Sequence, residues 1–280
     1  MIIYTCITNG YDELPDENYY DPDVKYICYT DGTIEHKEPW EFRDIPIEHE
    51  CPRRLSAYPK INPHKLFPMG SKTVWIDGCY IMTKKFVDES RRILSQSPFT
   101  IMRHCERFSY MDEILEGFLA SMNTFEDQVF ITEFLKEKGF NFFKYSSPVL
   151  GAIWRTLSED MVRLHDLWWE WSLIGPNRDQ LSFEGARQYT KTKLDYLEHG
   201  WLDPKDGKSA GSVGVVFGSG GKKYRRKRHP QAGHMEQYKE RDKMLNAIRK
   251  ITGMHPKLYA TYDHQGFINN NVIDPKWPPS

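Results

Sequence analysis

The sequence has no apolar run approaching the roughly 20 residues that a membrane-spanning helix requires, which argues against an integral membrane protein. Cysteine is sparse. Cys6, Cys28, Cys51, Cys79 and Cys105 make an odd number with no Cys-x-x-Cys pair. A disulfide framework or zinc knuckle is therefore not expected, and reduced thiols of an intracellular protein are. The first residues, Met1 to Thr5, carry no basic stretch ahead of an apolar one and predict a strand, not a signal peptide. Together these absences predict a cytoplasmic protein. There is no internal repeat. There is also no glycine-rich phosphate loop after the first strand, since Asn9-Gly10 is too short for one; this ranks a nucleotidyltransferase low. Net charge is nearly absent at −1.

That balance conceals an uneven distribution. Lys222, Lys223, Arg225, Arg226, Lys227 and Arg228 stand within seven residues, and taking these six positive charges from a net of −1 leaves −7 for the rest. Such a segment suits a nucleic-acid backbone, the diphosphate of a donor, or plain solvation. With 280 residues, 39% of them apolar, the chain can bury a real core unaided. Aromatics reach 14%; they line pockets that stack sugars or bases, and more often fill cores.

Periodicity and turn signals predict strands over 2–7, 24–30, 73–76 and 99–102, the first three ending at Asn9-Gly10, Asp31-Gly32 and Asp77-Gly78. Helices are predicted over 85–96, 111–121, 127–138 (Phe130, Ile131, Phe134 and Leu135 at helical spacing), 158–171 and 235–252. Another, over 53–67, is broken by Pro59 and Pro63. Asn177-Arg178-Asp179-Gln180 has the form of a capping box opening one more helix. Residues 203–222, rich in Gly, Ser and Lys, predict a mobile loop. The alternation predicts an α/β fold: a mixed, Rossmann-like sheet flanked by helices. Residues 1–200 form the main domain, and 201–280 add a basic loop, a helix and a tail packing on it.

Asp77 stands just past a buried strand, at the carboxyl edge where open α/β sheets bind ligands. An Asp there holds a divalent cation against a diphosphate, or simply caps a turn. Lys60, His64 and Lys65 precede that strand, and Arg103, His104 and Arg107 follow the next; either group suits phosphate contact or a solvated loop. The Arg178-Asp179-Gln180 cluster suits a pocket or helix capping. His165, on the apolar face of the Trp-rich helix, reads as a core histidine.

Six stretches in order resemble a known family: Tyr4 to Asp12, Cys28 to Asp31, Lys60 to Pro68, Val74 to Gly78, Arg103 to Arg107, and Arg178 to Phe183. It is the glycosyltransferase-like domain of plant mucilage- and turgor-related proteins and their bacterial and viral relatives, itself similar to glycosyltransferase family eight. The resemblance covers residues 1 to about 190. It implies a GT-A-like fold and transfer of a hexose or pentose from a nucleotide-diphosphate donor to a hydroxyl. It also implies donor contacts from Gly10, Tyr11, Asp31, Lys60, His64, Asp77, Arg103 and His104, with Arg178, Asp179 and Gln180 beside the sugar. Pro148 to Trp154 resembles the strand before the Trp-rich helix. A divalent cation, Mn²⁺ or Mg²⁺, would be held by Asp77 and a late histidine, His229 or His234, with His264 a further candidate. The chain departs from the family-eight pattern where Cys79 replaces the second Asp of Asp-x-Asp, because a thiol suits such hard cations poorly. Acceptors that fit are a glycan, a glycolipid or a hydroxymethylated DNA base. The competing class is a catalytically degenerate module that binds carbohydrate or nucleic acid.

Overall fold

The computed structural model describes residues 1–104, 107–119, 123–146, 148–175, 179–198, 215–217 and 231–254. The strands are β1 (Ile2–Ile7), β2 (Lys25–Thr30), β3 (Glu41–Asp44), β4 (Lys72–Ile76), β5 (Tyr80–Met82), β6 (Phe99–Arg103), β7 (Pro148–Thr156), β8 (Asp195–Glu198) and β9 (Val215–Phe217). Seven of them form one mixed sheet in the order β3-β2-β1-β4-β7-β6-β8. β7 alone runs against its neighbours in that sheet, β4 and β6. The other pairings are parallel, so β1, β2, β4 and β6 all end at the same edge. β5 and β9 pair antiparallel as a separate ribbon.

Helices cover both faces, as expected for a mixed α/β sheet flanked by helices. Under α1 (Pro52–Ile61), α3 (Tyr110–Leu119), α4 (Phe125–Glu137), α5 (Glu159–Ile174) and α6 (Asp179–Thr190), one face buries Tyr4, Trp75, Phe99, Ile101 and Ile153. The helix Gln231–Thr252, here α7, adds Met244 and Ile248 to that core and packs on α3 and α4. The other face meets α2 (Lys84–Gln96), which contributes Phe86, Ile93 and Leu94 against Val74, Ile76 and Trp154. Alternation along each strand sorts the residues: Val74 and Ile76 go to the α2 side and Trp75 to the other.

Several expectations need correction. α1 continues through Pro59, the last turn closing by a hydrogen bond from the Asn62 amide to the Tyr58 carbonyl at 2.8 Å; Pro63 opens a separate 3-10 turn, Pro63–Lys65. Phe130 is 49% exposed, because Ile131 and Leu135, four residues apart, define the buried stripe of α4. Val215–Phe217, inside the predicted loop 203–222, is a strand pairing with Tyr80–Met82. β3 and β8 were not anticipated: Glu-Phe-Arg-Asp and Asp-Tyr-Leu-Glu are short edge strands with polar ends.

β7 carries an irregularity that matters for the site. On the β6 side the register jumps from Ile153 opposite Ile101 to Val149 opposite Met102, so Leu150, Gly151 and Ala152 bulge. The carbonyl of Gly151 accepts the Asp77 amide at 2.8 Å. A Cβ on Gly151 would fall 2.1 Å from the Tyr80 hydroxyl, so only glycine admits that phenol over the strand.

Candidate functional site

The shared edge of β1, β2 and β4 gathers three loops. Asn9 and Gly10 both have positive φ, 55° and 54°, which turns the chain sharply after β1. Asp31, at the end of β2, holds that turn: its carboxylate accepts the Asn9 amide at 2.8 Å and the Thr33 hydroxyl at 2.5 Å. The Gly10 amide donates to Thr33 Oγ1 at 2.8 Å. These bonds hold the Asp31 carboxyl below its usual range against the opposing effect of burial. Tyr11 follows, half-buried, its amide donating to the Thr8 carbonyl at 3.1 Å. The third loop, Asp77 to Cys79, lies directly against the first. A Cβ on Gly78 would stand 2.7 Å from Ile7 and 3.6 Å from the Asp12 Cβ, which is why the residue is glycine.

Three charged residues from separate stretches meet at this edge. Lys60, in the last turn of α1, reaches past the Trp75 ring, 5.7 Å from its centroid. Its Nζ lies 2.5 Å from Asp179 Oδ2 and 3.7 Å from Asp77 Oδ1. The Trp75 indole N–H donates to the same Asp77 Oδ1 at 2.9 Å. Asp179 is the first residue of α6, and its carbonyl accepts from Trp168 Nε1 and Ser182 Oγ, both at 3.1 Å. The side chains of Asp77, Asp179 and Lys60 are 40%, 22% and 10% exposed, so the carboxylates face the opening with the ammonium behind them. Burial pulls the Lys60 pKa down, but Asp179 and Asp77 outweigh it and the net direction is up. Burial pushes Asp77 up, Lys60 and the Trp75 N–H pull it down, Asp179 pushes it up again, and the net is a raised carboxyl.

Beneath this cluster lies a buried polar network that the sequence reading missed. Arg155 of β7 is wholly buried. Its guanidinium donates to the Lys60 carbonyl at 2.9 Å and to the Tyr4 hydroxyl at 2.7 Å, and lies 3.4 Å from His165 Nε2, which accepts as the neutral ring. Burial lowers Arg155 from its usual value, and burial likewise pushes Tyr4 up to about 12. His165 is the core histidine expected, also wholly buried and driven well below its usual value by burial, with Arg155 adding to the effect. The signal that would have found Arg155 is a lone arginine inside the apolar run Val149 to Trp154 and Thr156.

The other predicted residues distribute along the edge or away from it. Gln180 stands half-buried beside Asp179 in the first turn of α6. Arg103 ends β6, its guanidinium 4.9 Å above the Tyr196 ring. His104 is buried, its Nδ1 accepting the Arg107 amide at 3.2 Å. His64 turns to α5 instead: it stacks on His165 with centroids 5.3 Å apart, and its Nε2 meets Asp166 Oδ1 at 3.1 Å. Arg178, His229, His264 and the basic segment 222–229 lie outside the described residues, as does the His234 side chain. Among the described residues, no three His, Cys, Asp or Glu side chains converge to hold a metal ion. No helix among them is long and apolar enough to cross a membrane.

No family model matches this chain, and no curated protein does. Among solved structures, the chain is similar to the apo form of mouse xyloside xylosyltransferase 1, with 9% identity over 70% of this chain and 84% of that one and a TM-score of 0.40.

Proposed function

We propose that this chain is a glycosyltransferase that moves a sugar from a nucleoside-diphosphate donor to a hydroxyl. The observation that carries the reading is the convergence of Lys60, Asp77 and Asp179 at the carboxyl edge of the sheet. These three positions belong to three of the stretches that resemble the glycosyltransferase-like family. In this reading the turn Asn9 to Tyr11, stapled by Asp31, receives the nucleoside. Asp77 and Lys60 face the diphosphate, and Asp179 and Gln180 hold the sugar. The bond from the anomeric carbon to the diphosphate breaks with its electron pair on the diphosphate. The acceptor oxygen forms the new bond, and its proton passes to the diphosphate or to water. Negative charge accumulates on the leaving group, so a fixed positive charge there is the main catalytic need.

The test is a thermal-shift panel of nucleoside diphosphates and their sugars, since a ligand of the folded state raises its melting temperature. A shift with one nucleotide that disappears in Asp77→Ala supports the donor site. No shift with any donor sinks it. Cys79 in place of an acidic residue favours a second reading, a binding module without turnover. That reading predicts nucleotide-sugar binding with neither hydrolysis nor transfer of the sugar.

A further inference from the structure

The group that neutralises a diphosphate need not be a metal ion, and the donor set among the described residues does not suit one. A divalent cation of the Mg²⁺ or Mn²⁺ kind needs several hard oxygen ligands. Asp77 Oδ1 is already engaged by the Trp75 N–H at 2.9 Å, and Lys60 stands 3.7 Å from it. The other carboxylate, Asp179, is held by the same ammonium at 2.5 Å. The residue two beyond Asp77, where a second hard ligand would stand, is Cys79. Behind Lys60, the Arg155 guanidinium adds a second buried positive charge and fixes the main chain of Lys60 through its carbonyl. These features disfavour a dication, and the Lys60 ammonium stands between the carboxylates where one would sit.

We propose that the Lys60 ammonium is the resident cation of this site, holding Asp77 and Asp179 and meeting the donor diphosphate without a divalent metal. The proposal rests on the donor-site reading above. Arg155 acts through Lys60 as a positioning residue: it ties the end of α1 to β7, so the lysine stem lies along Trp75 and its head stays between the carboxylates. The ammonium is held, not exposed, and a diphosphate entering past the more open Asp77 meets it already oriented. Removing the lysine side chain would leave two facing carboxylates without their cation, a pair that attracts a divalent ion instead.

The experiment uses the full chain, with UDP and GDP as probes and thermal shift and calorimetry as readouts, in EDTA and in Mn²⁺. The expected result is a nucleotide whose affinity changes less than about threefold between the two conditions. Lys60→Met should weaken that affinity at least about tenfold in EDTA and recover much of it in Mn²⁺, while Lys60→Arg keeps metal-free binding. Nucleotide binding by the native chain only in Mn²⁺ overturns the resident-cation role and leaves the donor site standing. Lys60→Met binding in EDTA as tightly as the native chain also overturns it. No binding of either probe under any condition overturns both. The comparison of EDTA with Mn²⁺ on the native chain stands even if Lys60→Met fails to fold.

Discussion

The two faces of the sheet bury their residues by different rules. Under α2 the face is apolar: Val74, Ile76, Phe86, Ile93, Leu94 and Trp154 pack around the hydrogen bond from the Trp154 indole to Ser90 Oγ at 2.8 Å. Under α1, α5 and α6 the other face takes in Arg155, His165, the Lys60 stem and the Tyr4 hydroxyl. On the first face, removing apolar surface from water stabilises by about 25 cal/mol per Å² with little to offset it. On the second, desolvation of a guanidinium and an imidazole consumes part of that gain, and hydrogen bonds make up the difference only in part. The face that pays this is the one that holds Lys60 beneath Asp77 and Asp179. Polar burial here follows the site, while the opposite face is packed almost wholly from apolar groups.

The largest effect expected from that division is on the α2 side. Trp154→Ala should destabilise the fold by about 3–5 kcal/mol in urea denaturation while leaving the nucleotide affinity of the folded protein unchanged. A variant that lost affinity but kept its stability would erase the distinction between the faces. The converse change is Asp179→Asn, which should lower sugar transfer by about 100-fold or more with a stability change below about 1 kcal/mol. Native turnover in that variant would remove Asp179 from the site.

A smaller effect concerns pH. His165 and His64 both have folded pKa values below their usual one, chiefly through burial, so the folded chain refuses protons that the unfolded chain takes up. Their contribution to stability is complete above about pH 6.5 and is lost as pH falls below it, with a slope of up to about 1.4 kcal/mol per pH unit for each histidine. Urea midpoints at pH 7.5 and 5.5 measure it, and His165→Gln should flatten the decline. An equally steep decline in that variant would assign the pH response elsewhere. The smallest effect belongs to the exposed end of β2. Asp31→Ala should cost about 1 kcal/mol or less and speed hydrogen exchange at the Asn9 amide. Unchanged exchange would mean that the carboxylate does not hold the turn.

The central strands were legible because each is a short apolar run closed by a turn signal; Ile2–Ile7 and Lys25–Thr30 came within a residue, and Lys72–Ile76 likewise. The edge strands Glu41–Asp44 and Asp195–Glu198 were not, since strands open to water on one side need no apolar run. Asp77 was legible from its place after a buried strand. That Lys60 reaches both Asp77 and Asp179 was not, because sequence spacing says nothing of which helix end faces which strand end. His64 illustrates the same gap: a histidine next to a lysine suggested phosphate contact, and the fold instead stacks it on His165.

β7 enters the sheet between β4 and β6, both earlier in the chain, and it brings Arg155 to Tyr4 across 151 residues. Until it arrives, β4 is an open edge on a half-finished sheet, a template for wrong pairing, and such long-range closure makes folding slow. The same insertion supplies the carbonyl for the Asp77 amide and the guanidinium for the Lys60 carbonyl. Closing the sheet therefore also fixes the main chain at Asp77 and Lys60, two of the three members of the charged cluster, while the third, Asp179, comes with α6.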